Sequence, residues 1–163
     1  LPGLNDSKKL SGKKREYLSH RIKEQAVAFS LGSATSSEID ILNILQATKL
    51  AMKRALDNLA ITPDYVLVDG RDRLNITLLH KTIVGGDGLS ACIAAASILA
   101  KVARDELMCE MHEIYPEYGF DLHKGYCTKL HLKALERYGP CSLHRQSFSP
   151  VKELSSVSAD KLG

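Results

Sequence analysis

Two short apolar runs, each broken off by an acid and glycine, constrain this chain more than anything else in it. Tyr65-Val66-Leu67-Val68 ends at Asp69-Gly70, and Thr82-Ile83-Val84 ends at Gly85-Gly86-Asp87-Gly88. Runs this short, rich in β-branched residues, predict strands, the first of them buried on both faces. Behind the second run a long helical stretch extends from about Ser90 to Ile114 and stops before Pro116. Its early turns carry Ala91, Ala94, Ala95, Ala96 and Ala100, small side chains that let a helix lie close on a sheet. Strands alternating with helices predict an α/β domain with parallel pairing.

The flanking segments carry their own start and stop signals. Ser11 caps a predicted helix to about Glu24, with Leu18 and Ile22 on its buried face. Val27, Phe29 and Leu31 alternate with Ala28 and Ser30, the period of a strand. Thr35-Ser36-Ser37-Glu38 has capping-box spacing and opens a helix with Ile41, Leu45, Thr48, Met52, Ala55 and Leu59 on one face. Thr62-Pro63 ends it. Thr128 caps a last helix to Tyr138, closed by Gly139-Pro140. The small polar stretch from Ser155 to Gly163 reads as a frayed tail.

A chain of 163 residues, 44% hydrophobic and 25% charged, can bury one real core, and a net charge of +3 permits a nucleic-acid partner without demanding one. The most apolar stretch, Cys92 to Leu99, is too short to span a membrane, and the first residues lack a signal-peptide layout. Cys92, Cys109, Cys127 and Cys141 form neither a zinc-ribbon spacing nor a C-x-x-C pair, which favours reduced thiols in a cytoplasmic protein.

Chemistry concentrates in loops. Asp69 and Asp87 each follow a strand, and ligands of open α/β sheets gather outside the strands' carboxyl ends. Two carboxylates there can share a hard divalent ion, although Asp-Gly is equally an ordinary turn signal. The opening run Pro2-Gly3-Leu4-Asn5-Asp6-Ser7-Lys8-Lys9-Leu10-Ser11 and the later His123-Lys124-Gly125-Tyr126 put glycine, lysine and small polar groups just before helices. Such loops suit a phosphate backbone, and Tyr126 adds a ring able to stack on a sugar or base. The bland alternative for both is a capped helix start. Lys101 and Arg104 fit structural salt bridges better than substrate contacts, whereas His144-Arg145 fits a nucleic-acid groove. A small-molecule domain using Gly85 to Gly88 for a phosphate is a weaker reading, because that loop is neither a Walker sequence nor G-x-G-x-x-G.

Taken in order, these residues resemble a known family. Leu4-Asn5-Asp6-Ser7-Lys8-Lys9-Leu10-Ser11, Val66 to Gly70, Ile93 to Asp105, His123 to Tyr126 and His144-Arg145-Gln146-Ser147-Phe148 are together similar to bacterial ribonuclease HII, from Pro2 to about Val151. The resemblance implies a ribonuclease H-like α/β fold, a mixed sheet flanked by helices, over residues 1–151, followed by a flexible polar tail over 152–163. It implies a cytoplasmic, monomeric, metal-dependent endonuclease acting on RNA–DNA hybrids and on ribonucleotide-containing duplex DNA. Such an enzyme nicks 5′ of the ribonucleotide, leaves 3′-hydroxyl and 5′-phosphate ends, and serves ribonucleotide excision repair. It assigns Asp69 and Asp87 to catalysis and to a Mn2+ or Mg2+ site, Tyr126 to stacking beside the ribonucleotide, and Asn5, Ser7 and Lys8 to the substrate backbone.

Three departures qualify that expectation. Family members begin with a strand carrying Asp-Glu-Ala-Gly-Arg-Gly, and no such string occurs in this sequence. The expected central N-terminal strands are therefore absent, two acids and the loop that recognises the ribose 2′-hydroxyl with them, and the chain alone is expected to be inactive. Strand edges and a strip of apolar helix faces should lie unpaired. A non-catalytic nucleic-acid-binding remnant is the alternative. Gly85 stands where many relatives have lysine, which implies weaker phosphate contact, and Cys127 stands where glycine usually follows the tyrosine, which implies a stiffer loop.

Overall fold

The computed structural model describes residues 1–154. In chain order these form a 3-10 turn at Ser7–Lys9, α1 (Gly12–Gln25), α2 (Ser36–Leu42), α3 (Ile44–Asp57), β1 (Val66–Asp69), β2 (His80–Ile83), α4 (Gly86–Leu89) and α5 (Ala91–Ile114). A second 3-10 turn at Pro116–Tyr118, α6 (Phe120–His123) and α7 (Lys129–Tyr138) follow. The residues divide into two compact units, one of Leu1–Gly32 with Met52–Arg104, the other of Ser33–Ala51 with the described residues from Asp105 onward.

In the first unit β1 and β2 pair in parallel, with Val66 opposite His80 and Asp69 opposite Ile83. Gly70 N–H extends the ladder by donating to the Ile83 carbonyl at 3.0 Å. The apolar core of this unit joins α1 to α5 through Leu18, Ile22, Ile98, Leu99 and Val102. Ser11 starts α1 as expected, its hydroxyl accepting Lys14 N–H at 3.3 Å. Ile98 is fully buried, and the alanines before it leave room for that approach.

Two expectations for this unit fail. Val27, Phe29 and Leu31 form no strand, and all three are exposed. Alternation shapes a pleated face, but a strand exists only when another strand completes its ladder, and the described sheet holds β1 and β2 alone. Instead, the Ser30 hydroxyl donates to the Ala55 carbonyl. Nor is β1 buried on both faces: Val68 is buried, while Leu67 on the opposite face is exposed.

The second unit is organised around an aromatic knot. Phe120 is 2% exposed and stacks on Tyr118, with ring centroids 5.3 Å apart. His123, His131 and His144 close around the same ring at 5.9, 5.6 and 5.7 Å. Met108, Ala134, Leu135 and Val151 complete the cluster. Burial of a ring this deep is worth about 3–5 kcal/mol against alanine. An exposed ion pair contributes only about 0.2–1 kcal/mol. The aromatic knot therefore sets the stability of this unit.

His144 is thus a core residue, which corrects the expectation that it faces a nucleic-acid groove. Its Nδ1 accepts Cys141 N–H at 3.0 Å and its Nε2 lies 3.0 Å from that of His131. The segment after it is tied down from α2, because Asp40 accepts Gln146 N–H at 2.8 Å and Ser147 N–H at 2.9 Å. The Ser147 hydroxyl, its N–H and the Gln146 N–H hold the Asp40 carboxyl below the usual carboxylate range.

The helix expected from Thr35 onward is two helices. Thr35 and Glu38 form the capping box that starts α2. At Asn43, where φ is 70°, the chain turns, and the Asn43 side chain caps α3 by accepting Leu45 and Gln46 N–H at 3.0 and 3.1 Å. Asparagine tolerates the left-handed region and offers a capping oxygen, so it breaks an otherwise unbroken helical period. Thr128 starts α7 by accepting His131 N–H at 3.3 Å. Of the tail expected over 152–163, residues 152–154 are helical, with Lys152 N–H donating to the Phe148 carbonyl at 2.9 Å, and those from Ser155 onward lie outside the described residues.

Burial holds both His131 and His144 below the ordinary histidine value of 6.5. A group with a depressed folded value binds more protons when unfolded, so its stabilisation is full above 6.5 and drains away as pH falls towards the folded value. Thermal melts should hold steady above about pH 7 and decline as pH falls below about 6.5. His131→Phe should flatten that decline. A melting temperature constant across the window would show that these histidines are not held neutral.

Candidate active site

Asp69 ends β1, and the parallel ladder sends β2 towards the same edge, where the chain enters α4 through Gly85 and Gly86. Gly85 lies in the left-handed region at φ 65°, a turn that a lysine would adopt only with strain. The turn aims Gly86 N–H at Asp69 Oδ1, 2.9 Å away. Asp87 is the next residue, in the first turn of α4. One hydrogen bond thus joins the Asp69 carboxylate to the peptide beside Asp87, which is why these two acids share one sheet edge. Asp69 is exposed and Asp87 half-buried.

Gly86 itself is buried, and a Cβ there would meet Ile93 Cδ1 at 2.5 Å and Asp69 Oδ1 at 3.4 Å. The close approach of strand end and helix start therefore depends on the missing side chain.

The opening loop is built as a braced projection. Asp6 caps the Ser7–Lys9 turn by accepting Lys8 N–H at 2.9 Å, and Asn5 Oδ1 accepts Asp6 N–H at 2.8 Å. Asn5 and Lys8 are exposed. Ser7 points inward, 4% exposed, its hydroxyl 2.8 Å from Ser97 Oγ on α5. Arg15 Nη1 donates to the Ser7 and Leu10 carbonyls at 3.0 and 2.6 Å. Sequence reasoning missed Ser97 and Arg15. The available signals were a hydroxyl among alanines on α5 and a guanidinium one turn into α1.

In the second unit Tyr126 follows a left-handed pair, Lys124 at φ 51° and Gly125 at φ 79°, and is itself 60% exposed. Cys127 beside it is exposed as well.

A ribonuclease HII sequence profile matches residues 1–151. Ribonuclease HII of Desulfitobacterium hafniense (strain DSM 10664 / DCB-2) is 57% identical over 94% of this chain. That of Idiomarina loihiensis is 53% identical over 94% of this chain and 82% of its own length. The chain belongs to the ribonuclease HII family.

The chain spans 59% of the length of the Desulfitobacterium relative. The crystal structure of the ribonuclease H2 from Pyrococcus horikoshii OT3 superposes with a TM-score of 0.75 at 24% identity, over 95% of this chain and 81% of that one. This likeness shows the ribonuclease H-like α/β fold, here with a two-stranded described sheet among helices. No helix among the described residues is long and apolar enough to cross a membrane.

Divalent metal is expected in this family, and the residues present do not by themselves make a complete site for it. Among the described residues no group of three or more His, Cys, Asp or Glu could hold an ion. Asp69 and Asp87 are a pair, and one Asp69 oxygen is engaged by Gly86 N–H.

Gly86→Ala should lower stability by about 1–3 kcal/mol in denaturant titrations, because buried Ile93 has to give way. Gly88→Ala, where a Cβ meets nothing within 4 Å, should be neutral or slightly stabilising. Equal effects at the two positions would show that the Asp69–Gly86 approach is loose.

Proposed function

We propose that this chain forms part of the catalytic body of a metal-dependent endonuclease that hydrolyses RNA in RNA–DNA hybrids and nicks duplex DNA 5′ of embedded ribonucleotides, giving 3′-hydroxyl and 5′-phosphate ends. The observation that carries the reading is the Asp69–Gly86 hydrogen bond, which gathers two acids at the carboxyl edge of a parallel sheet. In open α/β folds that edge is where ligands bind.

Asp69 and Asp87 are the proposed catalytic acids and would contribute to a Mn2+ or Mg2+ site once further carboxylates join them. Asn5 and Lys8 face the substrate backbone from the exposed side of the opening loop. Ser7 serves the same contact from within, because its hydroxyl binds Ser97 and fixes the loop's course. The exposed ring of Tyr126 stacks beside the ribonucleotide. Base–aromatic stacking contributes about 1–3 kcal/mol, enough to bias cleavage towards one junction.

On this reading the 163-residue polypeptide does not cut by itself, since its sequence holds no Asp-Glu-Ala-Gly-Arg-Gly string. Incubating it with a duplex bearing one ribonucleotide, in Mn2+ or Mg2+, should give no cutting. Adding a peptide that carries the missing string should restore nicking. Asp69→Asn should abolish the restored cutting while sparing binding. Efficient nicking by the unsupplemented chain refutes the expected inactivity, and duplex binding without cutting in either tube identifies a non-catalytic binding remnant.

A further inference from the structure

The peptide that carries Tyr126 is held from both sides by buried histidines. The Tyr126 carbonyl accepts Thr128 N–H at 2.9 Å and lies 3.0 Å from His131 Nδ1. A carbonyl only accepts, so His131 bears its proton on Nδ1 and presents Nε2 as an acceptor. His144 Nδ1 is occupied by Cys141 N–H at 3.0 Å, so its proton is on Nε2, which donates to His131 Nε2 at 3.0 Å.

On the other side, His123 Nε2 donates to the Tyr118 carbonyl at 2.8 Å and its Nδ1 accepts Gly125 N–H at 3.2 Å. The His123 and His131 rings stack with centroids 4.4 Å apart and planes 13° from parallel. Every ring nitrogen of the three is bonded within the protein, and each ring is left one neutral tautomer.

We propose that His123, His131 and His144 are positioning residues for Tyr126. They fix the peptides at Gly125 and Tyr126 so that the exposed tyrosine ring meets the nucleotide in a single orientation. The inference rests on the stacking role given to Tyr126 above. It goes beyond that role by assigning junction recognition to buried side chains that never touch substrate. Packing alone would ask only for rings of this size around Phe120, whereas the proposal asks for a proton at His131 Nδ1 and an acceptor at His123 Nδ1.

The test uses the 163-residue chain and a DNA duplex carrying one ribonucleotide with 2-aminopurine beside it, whose fluorescence reports stacking. Tyr126→Ala should weaken binding about tenfold and abolish quenching. His131→Phe, which keeps ring volume and removes both hydrogen bonds, should do the same. His131→Asn, whose amide N–H takes the place of Nδ1–H, should recover most of the quenching. Imidazole 15N NMR should find His131 as the Nδ1–H tautomer, with His123 and His144 as Nε2–H.

Wild-type quenching in His131→Phe, with Tyr126→Ala impaired, overturns the positioning role and leaves the stacking role standing. An unimpaired Tyr126→Ala overturns both. Should His131→Phe fail to fold, the tautomers decide in its place: His131 protonated on Nε2 overturns the proposal, and the expected set together with the His131→Asn quenching supports it.

Discussion

A parallel ladder has one property that its antiparallel counterpart lacks: both strands end on the same edge. The meeting of Asp69 with Gly86 depends on that. With Asp69 opposite Ile83, the acid that closes β1 stands level with the chain as it leaves β2. A short turn through two glycines is then enough to bring a backbone N–H to that acid. Slipping the register by one residue would turn Asp69 to the other face and separate it from Gly86.

The second unit solves a different problem by different means. There Tyr126, 60% exposed, follows two successive left-handed residues, Lys124 and Gly125. Apolar packing beneath that loop supplies cohesion but no direction. Direction comes from the imidazoles, which combine a flat apolar face for Phe120 and Tyr118 with edge nitrogens that bond the backbone. The same burial that makes His131 and His144 good packing groups holds both below the ordinary histidine value, and a neutral ring gives each nitrogen a defined role as donor or acceptor.

Local signals in the sequence translated faithfully. Ser11, Thr35 and Thr128 cap helices where their spacing says they should, because a cap needs only the three residues that follow it. Asn43 was equally local and was overlooked, since the apolar period runs through it without interruption. Non-local features behaved otherwise. The alternation at Val27, Phe29 and Leu31 is real, yet whether it becomes a strand is decided by a neighbour far away in sequence. Polar residues posed the same difficulty: Ser7 and His144 look like surface chemistry in one dimension, and only their partners Ser97 and His131 reveal them as interior fittings. Asp69 and Asp87 were legible as a pair because glycine follows each acid at a strand end. The bond that unites them belongs to Gly86, a residue with no side chain to draw attention.

The short sheet leaves a further mark on the molecule. Each of its two strands has a neighbour on one side only among the described residues, and Leu67 on β1 is exposed together with Val27, Phe29 and Leu31 in the same unit. An open strand edge offers unpaired N–H and C=O groups to any further extended segment, so the sheet can be extended on either side of β1 and β2.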